Sequence, residues 1–259
     1  VSVNPVPTIN VTPATVVRCL GVSGKLRAQS QIPGTISYPS GTLGISIPDD
    51  NATGINNSQL VSLPSGAIIT NASVTLNINH TFMGDITINL KAPNGNTLNL
   101  FNQHGGSGNN LTNTVISSAG TTTLASGLYS VPNGNWTLAL YDDAGSDVGS
   151  LVNWTLTISY VIQPAITWTP ASGLFVDSAQ TIAYTGTSVS EVFAAPATTT
   201  TYTATANQEG CTAIASGLAS VNPLPASIDG PASVCAASSM TCTNTTGGGT
   251  WTSLHTDVA

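Results

Sequence analysis

Apolar residues in this chain recur at every second position, and no segment holds the three- and four-residue spacing of an amphipathic helix. Val74, Leu76 and Ile78 fall on one face, as do Ile86, Ile88 and Leu90. Leu98 and Leu100 resume the pattern after the turn Pro93-Asn94-Gly95-Asn96. Asn-Gly favours a hairpin because both residues tolerate positive φ. A second Asn-Gly, Asn133-Gly134, precedes Trp136, Leu138 and Leu140, and beyond the loop 141–150 come Trp154, Leu156, Ile158 and Tyr160. A period of two sends alternate side chains to opposite faces of a strand, and short strands punctuated by turns at this spacing predict sandwiches or barrels. The expected fold class is all-β.

Charge decides which partners are excluded. Of 259 residues only 6% are charged, and eleven acids face four bases, Arg18, Lys25, Arg27 and Lys91, for a net charge of −7. No cationic footprint for a phosphate backbone exists, so no nucleic-acid partner is expected. With 41% apolar residues the chain is not disordered by composition, and its polar surface must come from Ser, Thr, Asn and Gly. No apolar run approaches the roughly 18 residues of a membrane span, and the first residues read as mid-protein sequence without a signal segment.

Residues 80–95, His-Thr-Phe-Met-Gly-Asp-Ile-Thr-Ile-Asn-Leu-Lys-Ala-Pro-Asn-Gly, resemble the Gly-Asp strand of the P domain (Homo B domain) of proprotein convertases. Asn-Gly-Asn-Trp-Thr-Leu from 133, the acidic loop Asp142-Asp143-Ala-Gly-Ser-Asp147-Val-Gly149 and Asn-Trp-Thr-Leu-Thr-Ile from 153 resemble that family's closing hairpin, and Ile47-Pro48-Asp49-Asp50 its opening. The resemblance covers 32–161 and implies a jelly-roll-like β-sandwich. Such domains often follow a subtilisin-like protease and also occur in bacterial surface proteins.

The flanks are similar to something else. Trp168-Thr-Pro-Ala-Ser-Gly-Leu-Phe, Ala195-Pro-Ala-Thr-Thr-Thr-Thr-Tyr-Thr-Ala-Thr-Ala and Gly210-Cys211 resemble the Ig-like repeats of bacterial gliding and adhesion proteins, which are commonly type IX secretion substrates. Independently, Ser2-Val-Asn-Pro-Val-Pro7 recurs as Ser220-Val-Asn-Pro-Leu-Pro225, and Pro13-Ala-Thr-Val as Pro231-Ala-Ser-Val, marking equivalent points in successive modules. The expected organisation is an Ig-like module built from 6–31 plus 162–221, the P-like sandwich 32–161 inserted in it, and a further Ig-like module opening at 226–259. The alternative is three domains in a row.

In an extracellular setting four cysteines read as structural thiols. The Ig-like arrangement implies a Cys19–Cys211 bond, while Cys235 and Cys242 either pair locally or Cys235 takes a partner beyond residue 259. Fragments of subtilisin vocabulary occur at His104-Gly105, Asp177-Ser178 and Gly186-Thr187-Ser188, but the continuation after Ser188 is wrong and the residues fall in different modules; they read as turn residues. His80 reads as a strand-end hydrogen-bonder, and 184–193 as a strand pair around a turn. No enzyme activity is expected.

Six acids cluster in the P-like segment: Asp49, Asp50, Asp85, Asp142, Asp143 and Asp147, each in a turn or at a strand start near a glycine. Calcium takes six to eight oxygens from such flexible loops, and the resemblance implies calcium in some P domains. The alternative is that these side chains only close turns. A paired-carboxylate glycosidase site would need an aromatic cleft, to which Phe82, Trp136 and Tyr141 could contribute. Nine Asn-x-Ser/Thr sequons and Asp177-Ser178-Ala179 mark candidate glycan positions. The expected function is a non-catalytic segment of a bacterial cell-surface adhesin or filament. Its partners would be other modules of the same protein and a surface polysaccharide or protein ligand. The alternatives are the accessory region of a secreted subtilisin-like protease and a carbohydrate-binding module.

Overall fold

The computed structural model describes residues 5–117 and 130–253; residues 2–4 of the internal repeat and His255 lie outside them. The chain is all-β, and no described helix is long and apolar enough to cross a membrane. The first strands are β1 (Thr8–Thr12), β2 (Thr15–Cys19), β3 (Gly24–Pro39), β4 (Ile45–Ile47), β5 (Asn51–Val61), β6 (Ala67–His80), β7 (Ile86–Lys91) and β8 (Thr97–Asn102). They are followed by β9 (Leu111–Ser117), β10 (Gly134–Asp142), β11 (Gly149–Ile162), β12 (Ala165–Thr169), β13 (Leu174–Phe175), β14 (Glu191–Ala194), β15 (Thr200–Gln208) and β16 (Cys211–Asn222). A 3-10 turn, Met83–Asp85, precedes β7.

Two compact units form, the first comprising Val1–Thr8, Ser30–Ala165 and Ala206–Ala213. In it β11 is the organising strand: it pairs antiparallel with β6 along its whole length, and its other edge takes the later part of β3 and then β4. The facing sheet runs β5-β10-β7-β8. The alternation fixes what each strand buries. Val74, Leu76 and Ile78 meet Leu156, Trp154 and Leu151 in register, and Leu138 and Leu140 meet Leu90 and Ile88; all are buried. Each such side chain stabilises the fold by about 1.5–3 kcal/mol relative to exposure. Both tryptophans of this core satisfy their indole N–H, Trp136 on the Pro132 carbonyl at 3.1 Å and Trp154 on Asn57 Oδ1 at 2.7 Å, as an amphipathic ring buried this deeply requires.

With so few charges, the outer faces are stitched by neutral cross-strand pairs instead. Ser37 and Thr157 hydroxyls lie 3.0 Å apart, Ser58 and Thr137 2.8 Å, and Asn99 Nδ2 donates to Asn89 Oδ1 at 2.8 Å. The hairpin expected at Pro93-Asn94-Gly95-Asn96 is present: Gly95 has φ +88°, and Asn94 Oδ1 accepts the Asn96 N–H.

The second unit comprises Ile9–Gln29, Ile166–Thr205 and Ile214–Ala259. Here the first part of β3 pairs with β14, Leu26 opposite Val192, and β14 pairs with β13. A second sheet runs β12-β15-β16-β2, with β2 parallel to β16. Leu26, Trp168, Val192 and Tyr202 are buried. The segment 184–193 is not a strand pair: only Glu191–Ala194 is a strand, while the Tyr184 hydroxyl accepts the Trp168 backbone N–H at 2.9 Å. Residues 226–253 form no strand, only an isolated bridge between Asp229 and Thr243.

The expected Cys19–Cys211 bond is corrected by register. Cys19 lies opposite Asn222 at one end of β16, whereas Cys211 is at its other end, eleven residues or about 36 Å away along an extended strand. A disulfide needs Cα atoms within about 7 Å. Cys19, Cys235 and Cys242 are free thiols.

Gly34 stands directly opposite Tyr160, and the phenol ring folds over it so closely that an added Cβ would sit 2.3 Å from ring carbon Cζ. Gly34→Ala must therefore displace a ring packed against the core. Urea unfolding should show a loss of about 1–3 kcal/mol, the usual range for overpacking.

Candidate functional site

The inward parity of β6, Ala72-Val74-Leu76-Ile78, runs on to His80, and that of β10, Trp136-Leu138-Leu140, runs on to Asp142. At the same end of the sandwich, then, each sheet places a polar side chain where the pattern calls for an apolar one. The two meet: His80 Nε2 lies 3.1 Å from Asp142 Oδ2, with the residues 2% and 0% exposed. One proton lies between them, because a hydrogen bond at that distance needs a donor.

Local backbone geometry makes the room. Gly149 faces His80 across the β11–β6 ladder, and a Cβ there would lie 2.1 Å from His80 Cδ2, so only glycine admits the ring. Against β5 the register of β10 shifts between Leu140 and Asp142, a bulge at which Gly54, with φ +57°, approaches the Leu140 carbonyl too closely for any side chain. The ring's other nitrogen, Nδ1, sits 2.9 Å from the Phe82 carbonyl oxygen, and Asn110 Oδ1 accepts the His80 backbone N–H at 2.8 Å. His80 is the strand-end hydrogen-bonder the sequence suggested. Its contact with Asp142 was the missed feature, and the signal for it was the shared parity of two polar residues with two apolar runs.

All six candidate acids gather at this end. Asp143 N–H donates to the Asp85 carbonyl at 3.0 Å, Ser146 N–H to Asp49 Oδ2 at 3.2 Å, and Thr81 Oγ1 to Asp147 Oδ1 at 2.7 Å. Thr87 and Gln103 both donate to Asp143 Oδ2. Asp50, with φ +45°, packs its Cβ beside Gly145. Asp49, Asp143 and Asp147 thus tie loops together, as turn-closing carboxylates do. Among the described residues no three His, Cys, Asp or Glu side chains converge closely enough to hold a metal by themselves. One atom stands apart: Asp142 Oδ1 is buried and accepts no side-chain hydrogen bond, with the Ala144 backbone N–H acting on the carboxyl. The aromatic cleft a glycosidase would need does not form around Trp136, which lies in the core.

The residues of the subtilisin vocabulary are engaged elsewhere. His104, in the first unit, makes an edge contact with Phe101 at 6.0 Å. In the second unit Asp177 accepts backbone N–H groups from Thr181 and Ile182, which hold its carboxyl below the usual range, and Ser188 Oγ accepts the Ile166 N–H at 3.1 Å.

Burial pushes the Asp142 carboxyl above its ordinary value of 3.8, while hydrogen bonds from His80 and the Ala144 backbone N–H pull the other way and the nearby Asp49 charge adds to the rise. Two outcomes follow from this arrangement. His80→Ala strips Asp142 of its side-chain partner and should cost about 3–5 kcal/mol in urea unfolding, the range for breaking a buried pair. The folded carboxyl also holds its proton more tightly than the unfolded one. Its contribution to stability is therefore present below 3.8 and lost as pH rises through the raised value. Measured in chelator, the stability of the unmodified chain relative to Asp142→Asn should fall as pH rises above 3.8.

Comparison with known proteins places this site in a family segment. Residues 69–158, which include His80, Asp85 and the loop 141–150, match the proprotein convertase P-domain. The chain is 33% identical over 132 residues to leupeptin-inactivating enzyme 1 of Streptomyces exfoliatus, covering 51% of this chain and 28% of that protein. It is 34% identical over 116 residues to a transglutaminase-activating metalloprotease of Streptomyces mobaraensis, covering 45% and 14%. The chain thus spans less than a third of the length of either relative. Among solved structures, a serine protease of Aeromonas sobria in complex with its chaperone aligns at TM-score 0.39 and 14% identity, over 50% of this chain and 27% of that one, a likeness too slight to bear on the argument. The P-domain expectation stands. The expectation of a surface adhesin or filament does not: the relatives are named as a leupeptin-inactivating enzyme and a metalloprotease, which favours the protease-associated alternative.

Proposed function

We propose that this chain is the non-catalytic P-domain region of a secreted protease. The observations that carry this reading are the 33% identity over 132 residues to leupeptin-inactivating enzyme 1 and the match of residues 69–158 to the P-domain. In that segment the imidazole–carboxylate pair is buried away from solvent, and the Asp143 and Asp147 carboxylates are held in loop ties, which suits an accessory role. A sandwich with neutral cross-strand stitching and few charges suits an extracellular accessory domain that supports a catalytic domain rather than doing chemistry itself. The second unit is read as an Ig-like sandwich flanking the P-like domain. Support comes from the pairing of Gly24–Arg27 with β14 and of β2 with β16, which brings strands from before and after 32–161 into the same sheets.

The test uses the full-length protein that contains this chain. Deleting residues 32–161 should lower the yield of active secreted peptidase or shorten its thermal half-life several-fold, while the isolated chain hydrolyses neither casein nor aminoacyl arylamides. Hydrolysis by the isolated chain, or unchanged yield and half-life after the deletion, would overturn the proposal.

A further inference from the structure

The second copy of the internal repeat runs into residues 226–253, the segment that forms no strand. The two copies fold alike beside their matching cysteines. Val22 N–H donates to the Cys19 carbonyl at 3.1 Å, and Ser238 N–H to the Cys235 carbonyl at 3.0 Å. Each turn passes through positive φ at its third residue, +84° at Gly21 and +67° at Ala237. Asp229 bridges to Thr243 as β1 pairs with β3. Thr250-Trp251-Thr252 then repeats Thr167-Trp168-Thr169 of β12. Between the start of β3 and that tryptophan the first copy carries the P-like sandwich. The second copy carries only Thr245-Thr246-Gly247-Gly248-Gly249.

The two tryptophans differ in what surrounds them. Trp168 is buried, with its indole N–H on the Val189 carbonyl at 3.1 Å and its backbone N–H on the Tyr184 hydroxyl. Trp251 is 59% exposed and lines a groove of about 470 Å³ with Pro225, Ile228, Asn244 and Thr246. Ile228, Val234 and Met240 are exposed as well, so this short segment holds its large apolar side chains in water. An apolar groove of this kind marks a surface that another part of the structure covers.

The first copy shows what covers it. There β2 is held by parallel pairing to residues 218–222 of β16, and the start of β3 by β14. A lone hairpin is marginal in water, so the same opening residues stay irregular without those later strands. Within this chain β14 lies between β13 and β3, and β16 between β15 and β2, so neither has an edge to spare. We infer that residues 226–253 open a second copy of the same module. The groove at Ile228 and Trp251 is the docking surface for its later strands, equivalents of 174–222 supplied by the full-length protein. The inference is independent of the protease reading, which concerns the P-like sandwich.

Trp251 reports its own burial, because Trp136, Trp154 and Trp168 are buried. Acrylamide quenching is compared between this 259-residue chain and the full-length protein, each beside its Trp251→Phe variant to isolate the Trp251 signal. Quenching of Trp251 should be strong in the chain and fall several-fold in the full-length protein. A second measurement supplies the strands directly, by joining a duplicate of residues 171–222 after Ser253. This fusion should protect Trp251 and add an unfolding transition that Trp251→Ala removes, whereas a scrambled 171–222 should do neither. If the fusion does not fold, quenching in the full-length protein decides. Equal quenching of Trp251 in the chain and the full-length protein would overturn the inference, as would equal protection by the scrambled segment. Protection that grows with the concentration of the 259-residue chain alone would also overturn it, and would assign the groove to a second molecule of this chain.

Discussion

A hydrogen bond between a buried imidazole and a buried carboxylate closes one end of the first sandwich, and the features around it are arranged to make it possible. His80 comes from the sheet organised by β11 and Asp142 from the facing sheet, so their 3.1 Å contact ties the two layers together. Gly149 gives space for the ring, the bulge beyond Leu140 reshapes the end of β10, Phe82 holds the ring's other nitrogen, and Asn110 accepts the His80 backbone N–H. Removing either partner would expose the other to the full cost of an unpaired polar group in the core.

The same end concentrates the acidic loops, and this shapes the functional reading. A catalytic carboxylate must reach substrate; Asp142 does not, and its neighbours Asp143 and Asp147 are tied to Thr87, Gln103 and Thr81. The named relatives favour an accessory role beside a peptidase, whereas an adhesin reading rested on flank repeats whose resemblance said nothing about this site.

Neutral polar pairing is the second theme. A chain with 6% charged residues cannot clothe its sheets in ion pairs, and the solvent-accessible Lys25–Glu191 contact, at 2.7 Å, is the kind worth little in water. Ser, Thr and Asn ladders do this work on the outer faces, in register with the apolar alternation on the inner ones.

The sequence by itself determined the class of fold and the identity of the buried faces. Alternation at 74–78, 86–90, 136–140 and 154–160 leaves no other way to hide those side chains, because parity along a strand is a local property of the backbone. The Asn94-Gly95 hairpin was legible for the same reason: positive φ at Gly95 is a demand on one residue. The tertiary structure alone decided the pairings. Nothing local states that β11 should lie between β6 and β3, or that Cys19 should face Asn222 rather than Cys211; register between distant strands depends on which faces are covered and how loops close. The six acids could be recognised as a group because their loops resembled one family's. That Asp142 alone among them is buried and held by His80 required both sheets to be in place, since the two residues are 62 positions apart and meet only across the finished core.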